Sequence, residues 1–382
     1  MSEIAPDDVV VVGNGVSGYA CAKRLGEHGR RTVLVGPGLP HDRPPLSKHG
    51  LRTGVLPILA DAEGLAAQGI VHIDGVVRAL DLGEPRLGID EGGGKLAWHS
   101  VEGPLVWATG LEYTRPAIPG LEHADSNSTG PAFRWLCSRL GTARRVLIVG
   151  AGLIGVETAA ALAPEHSVTL LELEERPLHQ FHDPIPSLAA AVLDDLGVSF
   201  LGGCEVEEAL CDEDASRWLV RTGSHGDLEA DVVIVAAGIA TSLPSELRSN
   251  GNGTLSVDDG MRVLGHDGLW ACGDCAAVAH PRYGKISFPH WDWARRTGIQ
   301  AAESVLGAAQ PFDAEPFWFS NIGPLHLQEL GFGDQAGEWE ETDGVHVGRN
   351  AEGQVVAVLV LSAAKLRDAR AILAGREGAN GS

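Results

Sequence analysis

The chain has 382 residues, 44% of them hydrophobic, and its 51 acidic against 29 basic side chains leave a formal net charge of −22. That length exceeds one ordinary core and supports two or three. The acidity repels nucleic acid and anionic membranes. No apolar run approaches the roughly 20 residues needed to span a bilayer, and the N-terminus lacks a basic-then-apolar leader, so a cytoplasmic address without membrane or nucleic-acid partners is expected.

Taken in chain order, the β-branched run Val9 to Val12 meets the glycine fingerprint Gly13-Asn14-Gly15-Val16-Ser17-Gly18, which opens a helix running to about His28. A strand from Thr32 to Gly36, a loop rich in proline and charge, and short strands near 70–73, 76–80 and 86–89 follow. Gly92 to Gly94 make a turn, and the strand Leu105 to Ala108 ends in Ala108-Thr109-Gly110. After a linker at 116–120 the pattern restarts. A second strand, from about Arg145, enters Gly150-Ala151-Gly152-Leu153-Ile154-Gly155, a helix at 154–163, a strand at 168–172 and a helix near 186–196. Further strands end at Val232 to Ala236 with Ala237-Gly238. The chain then returns to its first domain through Leu269 to Cys272 and a helix at about 290–306. Past residue 310, strands at 345–347 and 355–361, a helix at 363–374 and a frayed tail from Gly375 complete the reading. Two fingerprints in strand-turn-helix context imply two dinucleotides, because the glycines allow a tight turn and close backbone approach while a helix N-terminus faces the pyrophosphate. A glycine turn that only packs the sheet is the alternative at either place.

Six cysteines show no secreted framework, so reduced thiols are expected. Cys272-Gly273-Asp274-Cys275 has redox spacing but lacks the thioredoxin-like setting, and reads instead as a Gly-Asp motif with sulfur neighbours. Zinc is not expected, since no second Cys or His pair stands at ligand spacing, and no other metal site is read.

Several segments together resemble the flavoprotein pyridine nucleotide reductases, and within them the FAD-dependent ferredoxin or rubredoxin reductases of oxygenase electron-transfer chains. They are Asp42-Arg43-Pro44-Pro45-Leu46-Ser47-Lys48, Ala108-Thr109-Gly110, the second fingerprint extended to Glu157, Ala271-Cys272-Gly273-Asp274 and His290-Trp291-Asp292-Trp293-Ala294. The resemblance covers nearly the whole chain. It implies an α/β fold with two Rossmann-like dinucleotide-binding domains of the glutathione-reductase kind and a small α+β C-terminal domain. The FAD-binding domain is expected over 1–112 and 235–309, the NAD(H)-binding domain over 113–234 and an interface domain over 310–382.

The same resemblance implies the site. FAD falls to Gly13, Gly15, Val16, Ser17, Gly18, Arg43, Lys48, Val77, Ala108, Thr109, Gly110, Gly273, Asp274, Trp291, Ala294 and Phe319. Asp274 is expected to accept from a ribityl hydroxyl, though an Asp there also caps the following turn. NAD falls to Gly150, Gly152, Leu153, Ile154, Gly155, Glu157, Glu172 and Gly238. Glu172 ends its strand about 22 residues after Gly150, where a carboxylate accepts ribose hydroxyls and repels a 2′-phosphate, so NADH is preferred over NADPH. Arg176 could counter that repulsion or simply contact the next helix. The first fingerprint lacks such an acid. Gly36-Pro37-Gly38 stands in its place, with Asp42 and backbone groups as replacements. Lys48 and Glu157 are expected to form an ion pair that orients the hydride donor, against the alternative of a solvated lysine and a helix-capping glutamate.

For the electron acceptor, the loop 40–50 holds no cysteine, which argues against disulfide and peroxide chemistry. The family's C-terminal aromatic segment aligns with Trp318-Phe319-Ser320-Asn321-Ile322, so Phe319 stands where a tryptophan is expected. A ferredoxin-type iron-sulfur protein is the expected acceptor, with Arg43, Arg295, Arg296, Lys365, Arg367 and Arg370 as docking cations. The alternatives are a quinone or small metabolite, with Phe319 and Ile322 marking the changed acceptor face, and a flavin-bearing interaction protein of the apoptosis-inducing-factor type.

Overall fold

The computed structural model describes residues 4–126, 130–212, 217–247 and 249–375. The chain divides into two compact units, one of residues 1–42, 57–112 and 240–314, the other of residues 43–56, 113–239 and 315–382. The tail expected after Gly375 lies outside the described residues.

In the first unit the four valines of Val9–Val12 are at most 2% exposed. A strand apolar on both faces needs cover on both, which parallel crossover connections supply. Val9–Val12 accordingly sits mid-sheet, parallel to Thr32–Gly36 on one side and Leu105–Trp107 on the other, with Ile70–Asp74 and Leu269–Ala271 at the edges. The strand order reverses direction between Val9–Val12 and Leu105–Trp107. This is the switch point at which a doubly wound sheet opens a crevice. Helix Val16–Glu27 packs against helix Trp291–Val305, and the contact is close because residue 298 is glycine: a Cβ there would stand 2.2 Å from the Ser17 carbonyl oxygen.

The second unit repeats the design. Arg145–Val149 lies between Ser167–Leu171 and Val232–Val235, with Ser199–Leu201 outside, all parallel. Its C-terminal part is a five-stranded antiparallel sheet ordered Phe317–Ile322, Leu325–Gly331, Val355–Val360, Val345–Arg349 and Glu338–Thr342. Helix Leu366–Leu373 closes one face through Ala369 and Leu373 against Leu330, Val358 and Val360. Both Rossmann-like sheets and the α+β tail part thus stand as the motifs imply. The sequence reading missed the short helix Ala62–Ala67, which turns on Asp61 accepting from the Gly64 amide at 2.8 Å, and the helix Gly130–Leu140. The last helix begins later than expected, after a 3-10 turn at Ala363–Lys365.

Candidate functional site

The three glycines of each fingerprint do different work. Gly13 has φ +106°, and a Cβ there would stand 2.2 Å from the Ala108 carbonyl oxygen. On Gly18 it would stand 1.8 Å from the Gly13 oxygen, whereas on Gly15 it would meet nothing within 4 Å. The outer glycines therefore close the turn onto the sheet, and the middle one faces open space. Gly15 is also the N-cap of its helix, without a side-chain cap and with no acid in the first turn formed by Val16, Ser17 and Gly18. Open approach and uncapped amides fit a bound pyrophosphate.

Around this turn the structure gathers several of the expected FAD residues. Ala108 is buried beside Gly13, followed by Thr109 and by Gly110 at φ +69°. Gly273, at φ +75°, donates to Thr297 Oγ1 at 2.9 Å and packs on Ser17, with Ala294 close by and Asp274 next in the turn. Val77 lies at a bulge in the strand Val76–Asp81, paired with Ile89. Trp291 Nε1 donates to Asp42 Oδ1 at 2.8 Å, so this indole holds the proposed replacement acid. The 36–38 loop that stands where a ribose acid was expected is held by bonds that sequence reading overlooked. Asn14 Nδ2 donates to the carbonyls of Pro37 and Gly38 at 3.2 and 2.7 Å, and the Gly38 amide donates to Asp74 Oδ1 at 2.8 Å. The 36–38 loop is thereby tied to the first fingerprint through its own asparagine.

The second fingerprint matches the first. A Cβ on Gly150 would stand 2.5 Å from the Ala236 oxygen and on Gly155 1.9 Å from the Gly150 oxygen. On Gly152 it would meet only Gln180 Nε2, at 3.7 Å. Gly152 caps the helix Leu153–Leu162, again without a side-chain cap, and Leu153 and Ile154 form its first turn. Glu172 Oε2 accepts from the Ala151 amide at 2.6 Å, and Oε1 from the amides of Leu173 and Glu174 at 2.9 and 3.3 Å. The carboxylate is thus fixed beside the glycine turn. Gly238, at φ +126°, accepts from the Thr114 amide at 3.0 Å. Arg176 pairs with Asp183 at 3.2 Å rather than turning toward Glu172.

Glu157 is the one charged residue in the helix Leu153–Leu162 and only 4% exposed. Such a group needs partners. Lys48 Nζ stands 2.8 Å from Oε1, Ser320 Oγ donates to Oε1 at 2.6 Å and Ser47 Oγ donates to Oε2 at 2.5 Å. Lys48 also donates to the Pro44 carbonyl at 3.3 Å, and Arg43 leads into the 3-10 turn Pro44–Ser47 that presents Ser47 and Lys48 together. Tyr113 belongs to the same surroundings. Burial pushes its phenol up to about 12, with Arg43 opposing and Glu157 adding to the rise. Neither serine nor Tyr113 was marked by sequence reading, since a lone hydroxyl carries no pattern.

The model of the pyridine nucleotide-disulphide oxidoreductase family matches residues 7–298. The chain belongs to that family. It is 30% identical to the 5,5'-dehydrodivanillate O-demethylase ferredoxin reductase subunit of Sphingobium sp., over 85% of this chain and 81% of that one. Human apoptosis-inducing factor 3 is 29% identical over 86% of this chain, and the chain spans about half, 55%, of that protein's length. Among solved structures, the ferredoxin reductase for the CYP199A2 system of Rhodopseudomonas palustris shares the fold. Its TM-score is 0.82 at 24% identity, covering 92% of this chain and 90% of that one.

For a member of a family named for disulphide chemistry, the thiols here are poorly placed. Cys272 and Cys275 are fully buried. Burial pushes Cys272 up to about 12, against a hydrogen bond from Ser17 and with Cys275 adding. It pushes Cys275 up to about 11, opposed first by the Gly110 amide. At pH 8 a thiol near 12 is ionised to about one part in 10⁴, and only the thiolate attacks. Maleimide labelling of the native protein followed by peptide mass spectrometry is therefore expected to modify exposed Cys211 first and to leave Cys272 and Cys275 untouched until denaturation. Rapid native labelling of either would reinstate a dithiol site. Among the described residues no group of three or more His, Cys, Asp or Glu side chains is placed to hold a metal.

One expectation about the acceptor face needs correction. Ile322 is wholly buried, because strand alternation turns Trp318, Ser320 and Ile322 inward and leaves Phe319, 36% exposed, and Asn321 outward. Of the six cations expected to dock, three have carboxylate partners at the surface. Arg295 and Arg296 pair with Asp292 of their own helix, and Lys365 pairs with Asp343. Arg43, Arg367 and Arg370 are exposed.

Proposed function

We propose that the chain is an FAD-dependent NADH oxidoreductase that passes electrons to a ferredoxin-type iron-sulfur protein serving an oxygenase or cytochrome P450. The observation that carries this reading is the pair of fingerprints, each with an open middle glycine over an uncapped helix, in a chain whose CxxC thiols are buried and un-ionised. A flavin held by these residues would supply hydride acceptance and single-electron release. The residues of 1–112 and 235–309 serve FAD, those of 113–234 serve NADH and those of 310–382 the acceptor. Lys48 and Glu157 would orient the nicotinamide, and Phe319 would serve the flavin. The family relatives named as ferredoxin reductases support the acceptor class. A cytoplasmic setting accords with six cysteines, none of them in a disulfide.

Purified protein is expected to show a flavin visible spectrum that NADH bleaches, with steady-state turnover accelerated by an added ferredoxin. Absence of flavin overturns the reading. Fast turnover with quinones and none with ferredoxins moves it to a small-molecule acceptor, and sluggish NADH reduction moves it to the apoptosis-inducing-factor type.

Glu172 supplies a second test. Replacing it by alanine and adding an arginine at Leu173 is expected to shift the kcat/KM ratio toward NADPH by roughly tenfold or more, since the repelling carboxylate is exchanged for a phosphate partner. An unchanged ratio would discredit the ribose assignment.

A further inference from the structure

We infer that Ser47 and Ser320 are positioning residues for Glu157, holding its carboxylate in one orientation for the reaction with NADH. The inference rests on the NADH-oxidoreductase reading. A lysine ammonium is a compact charge on a flexible stem and does not by itself fix which way a carboxylate faces. Two hydroxyls on different oxygens do. Ser47 donates to Oε2 at 2.5 Å and Ser320 to Oε1 at 2.6 Å, while Lys48 takes Oε1 at 2.8 Å. Toward an ionised carboxylate a hydroxyl can only donate, so the direction of both bonds is set. The serines are 6% and 0% exposed, which leaves little water to replace them.

The three partners come from two distant segments. Ser47 ends the 3-10 turn Pro44–Ser47 and Lys48 is its C-cap, and Ser320 lies 163 residues beyond Glu157 in sequence, on the strand Phe317–Ile322. On that strand Ser320 points inward to Glu157 and its neighbour Phe319 outward. The C-terminal sheet thereby enters the NADH half of the reaction, in addition to any part in electron delivery. Substitutions in this strand are expected to change flavin reduction itself.

The test uses the FAD-loaded full chain with Ser47→Ala, Ser320→Ala and Ser320→Thr, followed by stopped-flow reduction with NADH and, separately, with dithionite. Each alanine variant is expected to lose roughly tenfold in the limiting rate of reduction by NADH, the scale of a hydrogen bond to a charged group. The NADH concentration for half-saturation should move less than about threefold, and dithionite reduction should be unchanged. Ser320→Thr, which keeps the hydroxyl on a β-branched side chain suited to a strand, should recover most of the rate. Combining Ser320→Ala with Glu157→Ala should cost no more than Glu157→Ala alone. Wild-type rates in flavin-loaded alanine variants, a threonine variant as slow as alanine, or fully additive losses each overturn the inference. If NADH fails to reduce even the parent protein, the oxidoreductase reading falls and the positioning role falls with it. A thermal-denaturation cycle over Ser320 and Glu157 then still judges the contact alone, with non-additive melting shifts expected.

Discussion

Glu157→Ala is expected to slow reduction of bound flavin by NADH roughly 100-fold while leaving the flavin in place, the scale on which preorganised charge acts in a closed site. The substitution removes the shared acceptor of Lys48, Ser47 and Ser320 at once. It leaves the Lys48 ammonium, with its side chain 16% exposed, beside two hydroxyls that have lost their anion. Because Lys48 retains some solvent and the Pro44 carbonyl, the stability loss is held to about 1–3 kcal/mol, short of that for a fully buried orphan charge. The fold should survive, and the rate constant is the informative quantity. Glu157→Gln separates charge from geometry. Its amide oxygen still accepts from Lys48 and Ser320, so a loss nearer tenfold is expected, with the remainder measuring the missing negative charge. Stopped-flow bleaching of the visible flavin band checks both, and unchanged rates would remove Glu157 and Lys48 from the hydride step.

Within one fingerprint, two glycine-to-alanine changes are expected to fail in opposite ways. At Gly18 the added methyl would stand 1.8 Å from the Gly13 carbonyl oxygen. Backbone on both sides cannot yield without parting the helix Val16–Glu27 from its strand. A loss of about 4 kcal/mol or more follows, a large share of the 5–15 kcal/mol that holds a domain folded. At Gly15 φ is −68°, which alanine adopts freely, and nothing lies within 4 Å. Compared in flavin-free form, Gly15→Ala should melt within about 2 °C of the parent, yet it should lose FAD affinity roughly 100-fold, since its methyl occupies the approach of the pyrophosphate. Melting curves and the flavin-to-protein absorbance ratio separate the outcomes. A Gly15→Ala protein with its full flavin content would remove the pyrophosphate from this turn. Gly155→Ala and Gly152→Ala repeat the contrast in the second unit, with NADH half-saturation as the readout.

The open middle glycine explains why the fingerprints were legible. Their spacing follows from local geometry: a strand leaving a parallel sheet, a turn needing φ +106° or +104°, and a helix approaching within contact of that turn. Such constraints act over a handful of consecutive residues and leave a mark in the chain. The apolar runs before each turn were legible for the same reason, since a strand buried on both faces admits few other residues.

The buried carboxylate was different. Glu157 and Lys48 could be named only because each lies in a segment of recognisable spelling. Their serine partners lie in segments whose spelling says nothing about a hydroxyl bond. Asn14 is a similar case: its place inside the first fingerprint was visible, but not its two bonds to the 36–38 loop that lacks the ribose acid. Outward and inward faces of the strand Phe317–Ile322 also escaped, which is how Ile322 came to be expected on an exposed surface.

By itself, then, the sequence determined two Rossmann-like sheets, the glycine turns that leave each following helix without a side-chain cap, and the acid just past the second strand of the second sheet. These depend on neighbours within about one helical turn or one strand. Only the tertiary structure decided that Cys272 and Cys275 are too deeply buried to ionise, and that Glu157 is held by Ser47 and Ser320 as well as Lys48. Burial and partner choice are set by segments more than 100 residues apart meeting in space, and no local pattern of residues encodes that meeting.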